Sequence, residues 1–279
     1  MNDRVEVRNL TRDETAQLVG WAAREGWNPS PHDANAFYDA DPEGFFGCFV
    51  DGEFVSGIAA VAYGDSFGFI GLYITEPTFR GKGYGLKVWN AGLSHLGGRT
   101  IGLDGVPAQQ ANYERMGFRP AYRTTRWSGH LSKSGPAPST RAARSQDISS
   151  ILPFDRKYFP SDRARFLGNW LDAPRYAVVS ERAGALAGYA AIRQCLEGSK
   201  IGPLFASDVP TALDLLSARA PADASAIVHL DIPDSQEDFT RELERLGFQS
   251  GFATARMYLG AAPDVDMSGV FAVTTLELG

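Results

Sequence analysis

The chain repeats itself. Glu114-Arg115-Met116-Gly117-Phe118 returns 130 residues later as Glu244-Arg245-Leu246-Gly247-Phe248. The match continues without a gap, with Tyr122, Thr124 and Arg126 facing Phe252, Thr254 and Arg256. Upstream, Ile70-Gly71 corresponds to Ile201-Gly202, and Gly57-Ile58-Ala59-Ala60 to Gly188-Tyr189-Ala190-Ala191, both at an offset of 131. Leu103-Asp104 corresponds to Leu230-Asp231 at an offset of 127. Correspondences in one order and at nearly one offset indicate tandem copies of one domain. A length of 279 residues accommodates two such units, each able to bury most of its apolar surface. The copies are read as residues 1–131 and 141–279, joined by a linker at 132–140 without apolar periodicity.

In the first copy the apolar, β-prone run Phe69 to Ile74 precedes Arg80-Gly81-Lys82-Gly83-Tyr84-Gly85, and a helix-like run follows from Leu86 to Leu93. The order is strand, Gly-rich turn, helix. Glycines at alternate positions leave the backbone bare, so its N–H groups can converge on an anion, and the helix N-terminus adds partial positive charge. Arg80 and Lys82 add full charges. Such a cradle suits the pyrophosphate of a nucleotide-bearing ligand. The G-x-x-x-x-G-K-[ST] spacing of a P-loop is absent. The dinucleotide fingerprint G-x-G-x-x-G is also missed, because Gly81-x-Gly83-x-Gly85 is one residue too tight.

The pattern that fits is R-x-x-G-x-G, Arg80 to Gly85, preceded by Ile74-Thr75-Glu76-Pro77. It resembles the acetyl-CoA loop of the GNAT superfamily of acyl-CoA N-acetyltransferases. Tyr113-Glu114-Arg115-Met116-Gly117-Phe118, followed by the strand-like Pro120 to Trp127, is similar to the last helix and following strand of a GNAT domain. The resemblance implies an α/β fold of the α+β kind: tandem GNAT-like domains, each a mixed, largely antiparallel sheet flanked by helices. It also implies acetyl-CoA as co-substrate and an amine acceptor.

The resemblance assigns roles residue by residue. Backbone N–H groups around Tyr73, Ile74 and Thr75 would polarise the thioester. Arg80, Gly81, Lys82, Gly83, Tyr84 and Gly85 would hold the pyrophosphate. Tyr113 would protonate the departing CoA thiolate; otherwise it packs on the sheet with its hydroxyl in water. Many members carry an Asn seven residues before this Tyr, where the present chain has Val106. The base is left among Glu76, Asp104 and a water chain to bulk. Asp104 recurs as Asp231, which also suits a structural role such as capping the next helix.

The second copy has lost the ligand features. Gly71 and Leu103 are 32 residues apart, Gly202 and Leu230 only 28. The shortening falls at the loop, which reads Pro203 to Pro210, with no glycine, Arg or Lys and with Asp208 set to repel phosphate. Tyr113 maps to Leu243, which has no proton to donate. The first copy is therefore read as the acetyltransferase and the second as a structural partner or a wall of the acceptor site. This resembles a two-domain subgroup of GNAT proteins. A non-catalytic acyl-CoA-binding or regulatory module is the alternative; a dinucleotide-binding oxidoreductase is disfavoured by the glycine spacing.

A net charge of −6 argues against nucleic acid or an anionic membrane as the main partner and suits a cationic amine. Two cysteines, Cys48 and Cys195, are too few for a disulfide framework and fall in strand-like runs. His32, His95, His130 and His229 show no ligand spacing, so no metal is expected. No G-x-S-x-G is present. The N-terminus is polar and no apolar run approaches membrane-spanning length, so a cytoplasmic protein is expected. Trp27, Asn28 and His32 lie between the first two helices, where they border the acceptor or anchor the loop.

Thr11 and Glu14 form a capping box for the first helix. A short helix is expected at Asp33 to Tyr38, a hairpin around Asp51-Gly52, and helices at Gly85 to Leu96 and Gln109 to Arg115, then a pair of strands. In the second copy Arg163 to Leu171 has helical spacing, and Gly269 to Glu277 reads as a strand that seals a sheet edge.

Overall fold

A computed structural model describes residues 4–131, 137, 139–218 and 227–279. Most of the expected linker at 132–140 lies outside the described residues, and Thr140 already opens a strand.

The first copy runs β1 (Val5–Asn9), α1 (Arg12–Arg24), α2 (Asp33–Ala40), β2 (Phe45–Val50), β3 (Glu53–Tyr63), β4 (Phe67–Thr75), α3 (Tyr84–Leu96), β5 (Thr100–Gly105), α4 (Pro107–Arg115) and β6 (Arg119–His130). The second runs β7 (Thr140–Ala142), α5 (Ile148–Asp155), α6 (Ala164–Trp170), β8 (Tyr176–Arg182), β9 (Ala185–Gln194), β10 (Ser199–Ala206), α7 (Val209–Ser217), β11 (Ile227–Pro233), α8 (Glu237–Arg245), β12 (Gln249–Leu259) and β13 (Val270–Ala272). Local signals act as sequence chemistry requires. The Thr11 hydroxyl accepts from the Glu14 amide, and the Glu14 carboxylate accepts from the Thr11 amide at 2.8 Å, which starts α1. Asp51 and Gly52 both take positive φ, 49° and 87°, and close the β2–β3 hairpin.

The two copies do not keep separate sheets. Among the described residues all strands join one 13-stranded sheet in the order β1-β2-β3-β4-β5-β12-β6-β11-β10-β9-β8-β7, with β13 paired to β10. Read from either end, the order gives the same series of equivalent strands, so the copies are related by a pseudo-two-fold axis between β12 and β6. The last long strand of each copy is exchanged. β12 pairs antiparallel with β5, Ala255 opposite Gly105 to Leu259 opposite Ile101, and β6 pairs with β11 from Ile227 opposite His130 to Pro233 opposite Thr124. β6 and β12 then pair with each other at the centre.

The cores follow the exchange. Met257 of the second copy is buried with Val55, Ile58, Ile70, Trp89 and Leu103 of the first. Trp127 of the first copy is buried with Ile201, Leu204, Leu230 and Phe248 of the second. Non-directional burial of apolar surface holds the halves together, and neither core is complete without the other's strand.

The structure revises two of the sequence expectations. After α4 there is one twelve-residue strand, β6, instead of a pair. At the C-terminal end only Val270 to Ala272 form a strand, and it lies inside the sheet against β10 rather than at an edge.

Candidate active site

β4 and β5 pair in parallel from Phe67 opposite Thr100 to Ile70 opposite Leu103, and no further. Beyond Ile70 they diverge. A bulge causes the departure: opposite Ala59 and Gly57 of β3, the register of β4 jumps from Gly71 to Ile74. Leu72 within it takes φ 47°, rare for a branched side chain. The wedge between the strands is a cavity of about 910 Å³. Tyr73, Ile74, Thr75, Arg80, Gly81, Gly83, Tyr84 and Gly85 all line it, as do Asp104, Val106 and Tyr113.

At one end lies the Gly-rich turn. Gly83 caps α3 at φ 85°, and no side chain caps that helix end, so its first-turn N–H groups are available to an anion. Gly81 also has positive φ, 77°. Gly85 serves a different end: a Cβ there would stand 2.7 Å from the Tyr73 hydroxyl and 3.0 Å from Thr75 Oγ1. Arg80 Nε donates to the Thr75 carbonyl at 2.9 Å, and its guanidinium pairs with Glu25. Lys82 is not on the cavity wall; its Nζ lies 5.1 Å from the Phe79 ring centroid.

Tyr113 stands on α4 with its ring stacked on Trp89, centroids 5.6 Å apart. Burial pushes its phenol up to about 12, so the hydroxyl carries its proton at neutral pH. Of the two carboxylates considered as base, Glu76 is outside the cavity wall and pairs with Arg24. Asp104 is on the wall, but both its oxygens accept from Arg256 of β12, at 3.0 and 2.8 Å. Burial pushes the Asp104 carboxyl up, and Arg256 opposes that shift.

The far side of the cavity is built by the second copy. Phe252, Thr254, Leu276 and Glu277 line it together with Trp27 and Arg126. The loop carrying Trp27 is tied to the second copy at several points. Lys200 Nζ donates to the Trp27 carbonyl at 2.8 Å. Asn28 donates to the Glu197 carbonyl at 2.8 Å and accepts from its amide at 2.9 Å. Arg175 donates to the His32 carbonyl at 3.0 Å, so His32 acts here through its backbone. Leu276 and Glu277 are wall residues that sequence reasoning missed. Only a long-range path of the chain brings them there.

The second copy repeats the wedge and fills it. β10 and β11 pair only from Ser199 opposite Val228 to Ile201 opposite Leu230, and the same register jump follows, from Ile201 to Leu204. β13 enters that opening, Leu204 opposite Ala272 and Phe205 opposite Val270, and the Val273 amide donates to the Asp231 carbonyl at 2.9 Å. Asp208 caps α7 by accepting from the Thr211 amide at 2.8 Å, placing a carboxylate where the first copy offers free amides.

Residues 7–118 match the model of the acetyltransferase (GNAT) family, and residues 151–272 that of an acetyltransferase (GNAT) domain. A holothin acyltransferase of Pseudoalteromonas sp. (strain SANK 73390) is 33% identical over 271 residues, covering 95% of this chain and 92% of that protein. This chain belongs to the GNAT family. It is an acyltransferase with two GNAT domains, the arrangement its sequence repeat indicated. Solved structures agree in fold. A Pyrococcus horikoshii protein provisionally described as an acetyltransferase superposes with a TM-score of 0.85 at 19% identity, over 99% of this chain and 96% of that one. A tandem GNAT protein from the clavulanic acid biosynthesis pathway gives 0.61 at 16% identity, over 94% and 100%. Among the described residues no helix is long and apolar enough to cross a membrane, and no cluster of His, Cys, Asp and Glu is placed to hold a metal.

Proposed function

We propose that this GNAT protein transfers an acetyl group from acetyl-CoA to the nitrogen of a small amine, at one site per chain. The observation that carries the reading is the contrast between the two wedges. One is open and ends in uncapped helix amides; the other is filled by β13 and closed by the Asp208 cap. In the open wedge the pyrophosphate lies against Gly81, Gly83 and the start of α3. The pantetheine runs between β4 and β5 and pairs with the β4 edge that β5 abandons. The thioester reaches the bulge near Tyr73 and Ile74, whose N–H groups supply the oxyanion donor, worth about two to three decades in rate. Tyr113 hands its proton to the leaving thiolate.

The acceptor enters from the opposite side, between Trp27 and Phe252. The second copy, which supplies Phe252, Thr254, Leu276 and Glu277 to the cavity lining, favours a small amine over a protein chain. The relative's name, holothin acyltransferase, supports the same class of acceptor. The test is thiol release from acetyl-CoA across a panel of aromatic and aliphatic amines that includes holothin. Acceleration by small amines and not by lysine-bearing peptides is expected. Turnover of peptides alone would overturn the small-acceptor reading, and no acceleration by any amine would overturn acyl transfer to nitrogen.

A further inference from the structure

The segment after β13 carries the second copy into the first copy's cavity. Arg163 Nη1 donates to the Thr274 hydroxyl at 2.8 Å, and Arg193 Nη1 donates to the Thr274 carbonyl at 3.2 Å. The Thr275 hydroxyl accepts from the amides of Glu277 and Leu278, at 3.1 and 2.9 Å, and so turns the chain. Two repeat-equivalent glycines make room for it. A Cβ on Gly202 would stand 2.5 Å from the Val273 and Thr274 carbonyl oxygens, and one on Gly71 would stand 1.9 Å from the Glu277 carbonyl oxygen. The Tyr63 hydroxyl donates to the Leu278 carbonyl at 3.1 Å. The backbone on both sides of Glu277 is thus clamped.

Glu277 is among the residues that line the cavity, and it is only 7% exposed. Its Oε2 is buried with no hydrogen-bond partner. Leaving a buried carboxylate oxygen unpaired costs free energy unless something supplies the missing donor. The ionisable groups acting on it are Asp104 of β5, Arg126 of β6, Arg193 of β9, Cys195 just beyond it, and Lys200 of β10. Cations predominate around this carboxylate.

We propose that Glu277 is the catalytic base that takes a proton from the attacking amine. The role rests on the acyl-transfer reading above. Nitrogen forms a bond to the thioester carbonyl carbon while one N–H proton passes to the Glu277 carboxylate. The C–S bond then breaks, and the thiolate takes its proton from Tyr113. Both side chains return to their starting state by exchange with water. Glu76, paired with Arg24 off the cavity wall, and Asp104, held at both oxygens by Arg256, are not free to act in this way.

The test is steady-state kinetics of the full chain with acetyl-CoA and the best amine of the panel, between about pH 6 and 10. Glu277→Gln keeps the shape and removes the basic oxygen. Its kcat near neutral pH is expected to fall about 10²–10⁴-fold, with acetyl-CoA affinity nearly unchanged. With an aliphatic amine as acceptor its deficit should shrink as pH rises toward about 10, where hydroxide can take the proton that Glu277 otherwise removes. Glu277→Asp should restore part of the neutral-pH rate. A Glu277→Gln enzyme with wild-type turnover, or one whose deficit is equal at every pH, overturns the proposal. A wild-type enzyme that binds acetyl-CoA and acylates no amine overturns the acyl-transfer reading itself, and the base with it.

Discussion

Asp104 and Arg256 form a two-pronged ion pair between the copies, at 3.0 and 2.8 Å, with the Asp104 side chain fully buried. Its repeat equivalent is reciprocal: Arg126 of the first copy pairs with Asp231 of the second, at 2.8 and 2.9 Å. Each copy thus supplies the aspartate on its fifth strand and the arginine on its exchanged strand. The recurrence of Asp104 as Asp231 follows from this interlock. Burial raises the Asp231 carboxyl, but Arg126, Lys200 and Arg193 outweigh it and hold the group below its usual value.

Removing one member leaves the other buried and unpaired. Asp104→Asn or Arg256→Met should each cost about 3–5 kcal/mol. The double variant should recover part of that loss, so the costs are expected not to add. Denaturant melts of the two single variants and the double one measure the coupling, and additive losses would refute the interlock.

The exchanged strands make the halves interdependent. A fragment ending at Leu131 lacks β12, so β5 and β6 lose their shared neighbour and Met257 leaves the first core. It should aggregate or remain unfolded, and co-expression with residues 139–279 should rescue a soluble heterodimer. The intact chain should melt in one transition that acetyl-CoA shifts upward. A monomeric, fully active fragment, seen by sedimentation and assay, would contradict this.

Gly83→Asp puts a carboxylate against the proposed pyrophosphate site. Nothing lies within 4 Å of its Cβ position, so the structural cost is limited to the left-handed backbone, about 1 kcal/mol. Calorimetry should show one acetyl-CoA per wild-type chain and none for the variant. Two sites per chain, or unchanged affinity, would count against the single open wedge.

Tyr113→Phe keeps the ring on Trp89 and removes the proton. Turnover should fall at least about tenfold while acetyl-CoA affinity holds, because the loss is confined to the transition state. Near-wild-type turnover would mean that the thiolate leaves without this acid.

Acid sensitivity should involve the first helix cap. The Arg8 guanidinium holds the Glu14 carboxyl at about 2, against an ordinary value of 4.5, with burial opposing. A carboxyl lowered on folding contributes stability above pH 4.5 and loses it as pH falls from there toward about 2. Glu14→Gln should cost on the order of 1 kcal/mol at neutral pH, after allowance for solvent screening, and flatten that acid limb. Urea melts at pH 7 and pH 3 compare the two, and equal losses at both would refute it.

The sequence alone determined what depends on local chemistry. The Thr11 to Glu14 cap, the Asp51-Gly52 turn, and the Gly-rich junction between β4 and α3 are set by φ preferences and short-range hydrogen bonds. The repeat told which copy kept its loop, because Asp208 and the missing glycines are visible residue by residue. What the sequence does not show is which strand lies beside which. β6 and β12 have equivalent patterns, so either could complete either copy, and only packing of the whole chain selects the exchange. The recurrence of Asp104 as Asp231 suited a structural role, but its partner Arg256, 152 positions away, is not legible in the sequence. Glu277 looked like the end of an edge strand until Gly71 and Gly202 admitted the chain between the sheet's wedges. Partners so distant in sequence are brought together by burial and steric fit, which leave no local pattern to read.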